Sequence, residues 1–480
     1  MKNNAPYCAC STPPGSSGIA VIRVGGEGAG VLLDQMFTLV RSSDRVKKIS
    51  EMKGYTAAFG YFYDPKTNVR IDDVVCTRFC TPHSYTGEEI IEISCHGGYT
   101  VIQEILRVLL ENGGRPAEPG EFTKRAFLSG KLDLSQAEAV MDVISAKSEL
   151  SLAAAGRQLA GGIRKTLFEI TQDIYKEFSS LEMLVEFPEH EESPEQGQSI
   201  INGIVACEKK LLSLISTFSR GRILRDGMTV VLAGIPNSGK SSLLNRLAGY
   251  ERAIVTSLEG TTRDTLEVFV SLGGVPVRVV DTAGIRQTSD EVEKIGVART
   301  MDALEESDIL LWLIDENKRD LLPDSRFSEM LTHHAGKREI GLVFSKSDIL
   351  SEKTIRELEE SVRDFLEKKG CAEMVFLLTP FSSVTGEGIE LLEKKVVSLY
   401  EKHGQGSASE VILTNARHEK AIKTAMEYLS ETQMILTTGY SPDMACALLR
   451  SAMDSLGEIT GETVSDELVN QIFSRFCIGK

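Results

Sequence analysis

The sequence predicts a multidomain chain in which an α+β amino-terminal domain precedes a discontinuous α-helical bundle, with an α/β P-loop domain inserted into that bundle. Three observations carry this. The 480 residues, 42% of them apolar, exceed what one hydrophobic core serves and suffice to fill two or three. A tract rich in Ala, Leu, Glu and Ser stops near Arg225 and resumes beyond Tyr400. Between its halves, apolar strand-like runs end in loops that carry glycine and hydroxyl residues, the pattern of a parallel sheet alternating with helices.

Residues 1–130 mix short alternating runs, Ile19–Val24, Thr56–Tyr63, Asp73–Phe79 and Glu89–Ser94, with a helical run Tyr99–Leu110. Residues 131–224 form the first half of the bundle, helical from Ser135 to Glu186 and again from Ile200 to Phe218. The acidic, proline-bearing stretch Glu186–Glu195 is expected to be the loop between them. Residues 225–402 are the inserted α/β block. After the flexible HGQGSASE stretch, residues 403–480 return to helix over Asn415–Thr438 and Pro442–Leu456, so the two halves of the bundle are expected to meet in space.

Gly234–Ser241, reading GIPNSGKS, fit a phosphate-binding loop, with the strand-like Met228–Ala233 before it and the helix-like SLLNRLAG after it. Gly234 and Gly239 let the backbone turn its N–H groups toward phosphate oxygens, Lys240 brings a cation to the outer phosphates, and the Ser241 hydroxyl suits Mg²⁺. Ser238 and Ser242 join them as expected nucleotide contacts. The apolar run Ile340–Phe344 then delivers Ser345, Lys346, Ser347 and Asp348 to the carboxyl end of a strand. An Asp there accepts hydrogen bonds from guanine N1–H and the 2-amino group, and adenine offers neither donor on that edge. The usual motif is Asn-Lys-x-Asp; Ser345 at its first place removes an amide that contacts purine and ties loops together, which lowers the expected affinity. Asp281-Thr282-Ala283-Gly284 end the strand Val275–Val280, which pairs through a Gly273-Gly274 turn with Leu266–Leu272. Asp281 is placed to hold Mg²⁺ through water and Gly284 to offer its amide to the γ-phosphate. Gly260-Thr261-Thr262-Arg263-Asp264 resembles a first switch with Thr262 as the metal-sensing hydroxyl, and Ser382-Ser383-Val384 resembles the last guanine loop. Together these make a GTPase.

Ile285 stands where Ras-like proteins carry the Gln that orients water, so another group has that task. Asn237 could offer its amide oxygen to a monovalent ion, potassium being the reasonable candidate, or could simply stabilise the loop. The balance of 53 basic against 69 acidic residues, a formal charge of −16, argues against a general nucleic-acid surface, so any RNA contact is local or shared with a partner. No apolar segment reaches membrane-spanning length and the start lacks a secretory core, so a cytoplasmic protein is expected. Nine scattered cysteines suit a reducing compartment; Cys8 with Cys10 and Cys76 with Cys80 lack a matching second pair for zinc.

The order of these elements, the terminal Phe476-Cys477-Ile478-Gly479-Lys480, and the segments PPGSSGIAVIRV, SYTGEEIIEISCHGG and PGEFTKRAFLSGKLDLSQAEA together resemble the MnmE (TrmE) family of bacterial tRNA-modification GTPases over essentially the whole chain. The resemblance implies an amino-terminal domain that dimerises and binds 5,10-methylene- or 5-formyl-tetrahydrofolate through Arg23, Glu92, Lys131 and Lys480. It also implies potassium held by Asn237, Thr256, the Leu258 backbone and Thr261. Ser257, Glu259 and Gly260 complete that loop around the nucleotide, Ser241 and Thr262 hold Mg²⁺, and Glu293 orients water. Lys240, Glu293 and Cys477 are the catalytic candidates, Cys477 as a nucleophile or acid–base group near the substrate uridine. A homodimer joined with a flavin-dependent MnmG-like protein in a heterotetramer would add an aminomethyl or carboxymethylaminomethyl group to C5 of the wobble uridine of certain tRNAs. On the residues alone, a ribosome-assembly or regulatory GTPase switch without modification chemistry stays open.

Overall fold

The computed structural model describes residues 5–40, 48–186, 194–234, 238–250, 266–281, 307–315, 339–368, 370, 375–378, 381–404, 411–439 and 441–480. The chain forms two compact units, one of Met1–Ile144, Gly156–Ser213 and Arg417–Lys480, the other of Ser145–Ala155 and Leu214–Ala416.

The first unit holds a seven-stranded sheet made of β1 (Tyr7–Cys10), β2 (Ser17–Gly25), β3 (Phe37–Leu39), β4 (Thr56–Asp64), β5 (Val69–Phe79), β6 (Ile90–Gly97) and β7 (Arg115–Pro116). Its spatial order is β3-β4-β5-β6-β2-β1-β7, and among these pairs only β1 with β7 is parallel. The pairing of β2 with β6 sets Arg23 opposite Glu92, which brings the two charged positions of the sequence motifs onto one patch of sheet. One face of the sheet packs beneath the helix Tyr99–Glu111, whose Ile102, Ile105, Val108 and Leu109 recur at helical spacing and are all buried. Cys8, Cys76 and Cys95 belong to this core, and burial pushes the Cys8 and Cys95 thiols up to about 11.

The helical part of this unit is built on the long helix Gly162–Glu186. Its stripe Ile163, Leu167, Ile170, Ile174, Phe178 and Leu181 packs along the helix Pro442–Thr460, which answers with Ala445, Leu449, Ala452, Leu456 and Ile459. Residues from both sides of the inserted block thus share one core. The expected loop Glu186–Glu195 ends earlier than its composition suggests: helix resumes at Pro194, which suits a first helical turn because its missing N–H has no partner there. Helix Leu134–Ser145 is joined to helix Ala416–Thr438 by a buried charge cluster. Glu138 lies 2.7 Å from His418 Nε2 and accepts from Arg417 at 2.8 Å. Burial pushes the Glu138 carboxyl up, yet the hydrogen bond and charge of His418 and those of Arg417 outweigh it and hold the group at about 2.

The second unit is a six-stranded sheet of β8 (Met228–Gly234), β9 (Leu266–Leu272), β10 (Val275–Asp281), β11 (Ile309–Asp315), β12 (Glu339–Ser345) and β13 (Val375–Leu378), ordered β13-β12-β11-β8-β10-β9. All neighbours are parallel except the hairpin β9–β10. The strands are apolar along both faces because both are covered, with Leu243, Leu247, Leu392 and Val396 on one side and Val362 and Leu366 on the other. Among the described residues no helix is long and apolar enough to cross a membrane.

Glu138→Gln removes the charge that His418 and Arg417 share and is expected to cost about 3 kcal/mol of stability at neutral pH, read as a lowered Tm. Because the folded carboxyl lies below its ordinary value of 4.5, its contribution is complete above that pH and fades as pH falls toward about 2, so the gap in Tm between wild type and variant closes over that window. Equal melting at pH 7 would show that the cluster contributes nothing.

Candidate functional site

Parallel pairing brings the carboxyl ends of β8, β10, β11 and β12 to one edge of the second sheet, where ligands of open α/β sheets bind. From β8 the chain passes through the glycine-bearing loop into the helix Lys240–Tyr250, whose first turn is closed by the Leu243 amide on the Gly239 carbonyl at 2.9 Å. The buried Lys240 Nζ donates to the Gly234 carbonyl at 2.9 Å and lies 3.5 Å from Ser238 Oγ, so the cation is folded back across its own loop. Desolvation lowers the lysine's affinity for its proton, and the charge of Asp281 opposes that. Asp281 is fully buried at the end of β10, and its Oδ2 accepts the Ser241 hydroxyl at 3.1 Å. One hydroxyl and one carboxylate side by side beside a lysine form a donor set that fits a hydrated Mg²⁺. Ser242 is exposed on the next helical position.

Ser345 ends β12, and Lys346, Ser347 and Asp348 follow it as a tight turn, with Lys346 at a φ of 68°. The Ser347 amide donates to the Phe381 carbonyl at 3.0 Å and its hydroxyl to Glu387 at 2.9 Å, which fastens this turn to the loop 381–388. Ser382, fully buried, donates to Asp348 Oδ1 at 2.5 Å and accepts from the amides of Val384 and Thr385, each at 3.2 Å. Asp348 is exposed on its open side, Ser383 is half-buried and Val384 exposed. One expectation is corrected here. Ser345 does not give up the tie between loops: its hydroxyl donates to the Ser238 carbonyl at 2.7 Å, with the Ile314 carbonyl also within reach at 3.1 Å, because the short side chain sits deep enough to reach backbone directly. Asn237, Thr256, Ser257, Leu258, Glu259, Gly260, Thr261, Thr262, Thr282, Ala283, Gly284, Ile285 and Glu293 lie outside the described residues.

In the first unit a cavity of about 460 Å³ is lined by Arg23, Glu92 and Lys480, with Tyr55, Phe79, Tyr85 and His83 among its walls. Arg23 Nε donates to Glu92 at 2.8 Å and Nη1 to the Gly479 carbonyl at 3.3 Å, so the guanidinium orients the carboxylate and the end of the chain together. The terminal segment is docked. The Gly120 amide donates to the Cys477 carbonyl, the Phe122 amide to the Lys480 carbonyl and the Ser11 hydroxyl to the Gly479 carbonyl, while the Phe476 ring packs at a tilt 5.0 Å from that of Phe473. Cys477 itself is exposed. Lys131 is exposed and does not line the cavity; its Cε lies 3.8 Å from where a Cβ on Gly87 would stand.

Two family models match this chain, described as GTP-binding protein TrmE N-terminus over residues 6–131 and MnmE helical domain over residues 134–477. Relatives named tRNA modification GTPase MnmE align nearly end to end. That of Carboxydothermus hydrogenoformans is 39% identical over 472 residues, 98% of each chain, and that of Acetivibrio thermocellus 36% identical over 480 residues, 100% of each. The chain belongs to the MnmE family of tRNA modification GTPases. It is a GTP-hydrolysing enzyme of that family, and the sheet edge that carries Lys240, Asp281 and Asp348 is where its nucleotide chemistry is sought. Sequence reasoning missed Tyr55, Phe79 and His83 in the cavity wall; Tyr85 stood inside the SYTGEEIIEISCHGG segment and could have been drawn from it.

Gly479 has a φ of 91°, and a Cβ there would stand 2.4 Å from the Cys10 carbonyl oxygen. Gly479→Ala is therefore expected to release the terminal segment, seen as faster amide exchange at residues 476–480 with β8–β13 unchanged. Unchanged protection of the tail would contradict the docking described.

Proposed function

We propose that this chain is a potassium-dependent GTP hydrolase which, with a flavin-dependent MnmG-like partner in a heterotetramer, adds an aminomethyl or carboxymethylaminomethyl group to C5 of the wobble uridine in certain tRNAs, using a folate one-carbon unit. The observation that carries it is the cavity joining Arg23 and Glu92 to Lys480, in a chain that also pairs the Ser241 hydroxyl with the buried Asp281. A GTPase that only switches between partners has no use for such a cavity.

Residues 1–130 are assigned to folate binding and dimerisation, 131–224 and 403–480 to the two halves of the helical domain, and 225–402 to GTP hydrolysis. In the nucleotide site Ser241 and Thr262 would hold Mg²⁺ and Asp281 would reach it through water. Lys240 would turn from its loop carbonyl to the outer phosphates, offsetting charge that grows on the transferred phosphoryl group. Asn237, Thr256, the Leu258 carbonyl and Thr261 would hold potassium, which would supply the positive charge that an arginine supplies elsewhere. Glu293 would orient the attacking water, through a second water, in the place of the Gln that Ile285 replaces. In the amino-terminal cavity the Glu92 carboxylate suits the donor edge of a pterin, and the cations of Arg23, Lys480 and, from outside the lining, Lys131 suit the glutamate tail. The aromatic walls at Tyr55, Phe79 and Tyr85 suit a flat ring. Cys477, exposed on a docked tail, is the candidate nucleophile or acid–base group toward the uridine. Opening and closing of paired GTPase heads would reset that centre; phosphoryl transfer itself provides no carbon.

Phosphate release by the purified chain is expected to rise at least ~10-fold when potassium replaces sodium and to fall about 100-fold or more in Lys240→Ala. In a deletion strain, mass analysis of wobble uridines should find the modification restored by wild type and by neither Lys240→Ala nor Cys477→Ser. Restoration by Lys240→Ala would uncouple the GTPase from the chemistry. Full-length protein that takes up no 5-formyl-tetrahydrofolate would favour the regulatory GTPase without modification chemistry.

A further inference from the structure

The first position of the guanine-reading turn is where this chain departs from the usual pattern, and the structure gives that departure a stereochemical consequence. An Asn at position 345 would carry two amide protons, enough to hold a loop carbonyl with one and to reach a purine nitrogen with the other. Ser345 carries a single hydroxyl proton. That proton is engaged: Oγ stands 2.7 Å from the Ser238 carbonyl and 3.1 Å from the Ile314 carbonyl, and the side chain is only 3% exposed. The side chain also faces the phosphate loop, since a Cβ built on Gly239 would lie 3.7 Å from both Ser345 Cβ and Oγ. The donor-reading group of the same turn, Asp348, is held separately by Ser382 at 2.5 Å and remains exposed on its open side.

Resting on the assignment of GTP to this sheet edge, we propose that Ser345 is a positioning residue that clamps the phosphate loop and leaves guanine N7 unread, so that base selection is carried by the N1–H and 2-amino edge through Asp348. Guanine presents N7 and O6 as acceptors on its other edge, and N7 can be read only by a proton donor. Position 345 has none to give. The clamp and the base contact, which one amide can serve together, are separated here: the hydroxyl holds backbone to backbone, and position 345 gives the purine's imidazole side no proton.

The test is calorimetric titration of the full chain with GDP and with 7-deaza-GDP, in which N7 is replaced by C–H; diphosphates avoid turnover during the titration. Wild type is expected to bind the two within about twofold of each other, whereas a lost N7 hydrogen bond costs about fivefold. A weakening of 7-deaza-GDP by fivefold or more overturns the proposal while leaving the GTP site intact; failure of both nucleotides to bind removes the GTP assignment and the proposal with it. Ser345→Ala should weaken both nucleotides by the same factor, about threefold to tenfold, with their ratio held near one. Unchanged GDP binding, or a changed ratio, would refute the clamp. Ser345→Asn should raise the ratio to about fivefold by returning the second proton, and a ratio of one in a folded Asn variant would show that position 345 does not face N7. Should the Asn variant fail to fold, the wild-type ratio and the Ala variant decide the matter.

Discussion

The parallel pairing of β8 with β10 on one side and β11 on the other is the constraint on which the nucleotide site depends. Asp281 pairs with Leu232, two residues before the phosphate loop opens, so the carboxylate and the Ser241 hydroxyl meet without any long-range adjustment. The next pairing, β11 with β12, sets Asp315 beside Ser345 and carries the guanine-reading turn to the same edge. Strand register thus sets the two strand-end side chains, Asp281 and Ser345, and a slip of one residue would turn both to the wrong face. Ser345 then adds a contact at the top of the sheet, its hydroxyl 2.7 Å from the Ser238 carbonyl and 3.1 Å from that of Ile314, which ties the end of β12 to residue 238.

The first unit solves a different problem, that of making one cavity from residues at opposite ends of the sequence. β2 and β6 are neighbours, which places Arg23 and Glu92 side by side, and the guanidinium extends the pair to Gly479. The terminal segment is held by backbone donors from Gly120 and Phe122 and by the Phe473–Phe476 ring contact, so Lys480 reaches the cavity wall while Cys477 stays open to solvent. The Glu138–His418–Arg417 cluster joins helix Leu134–Ser145 to helix Ala416–Thr438, the first helix after the inserted block. Its net value comes from the complete set; removing one charge leaves the others buried without compensation.

Lys240, Ser241 and Asp281 were legible in the sequence because phosphate and metal chemistry accepts few residue types at those spacings, and the apolar runs around them could only be covered strands. The hairpin at Gly273-Gly274 was equally plain. Ser345 was legible as a departure but not as a clamp, since the pattern treats it as a missing amide and says nothing of the carbonyls within reach. The charge cluster was hidden for a simpler reason: Glu138 and His418 are 280 residues apart, and neither carries a local signal. The sequence places a strand over Asp73–Phe79, yet the strand begins at Val69, with Asp72 and Asp73 paired with Phe62 and Tyr61. Tertiary pairing overrides composition there. Tyr55 and Phe79 entered the cavity wall through the same folding of β4 on β5, which no short window of sequence displays.

The central claim, that strand register unites base, phosphate and metal recognition on one sheet edge, is tested most directly by a crystal structure of the chain grown with GDP and Mg²⁺. The account predicts the guanine N1 edge on Asp348, the β-phosphate on Lys240, the ion on Ser241 with Asp281 one water away, and Ser345 still bound to the Ser238 carbonyl. Nucleotide seated away from this edge, or Asp348 turned from the base, would contradict it.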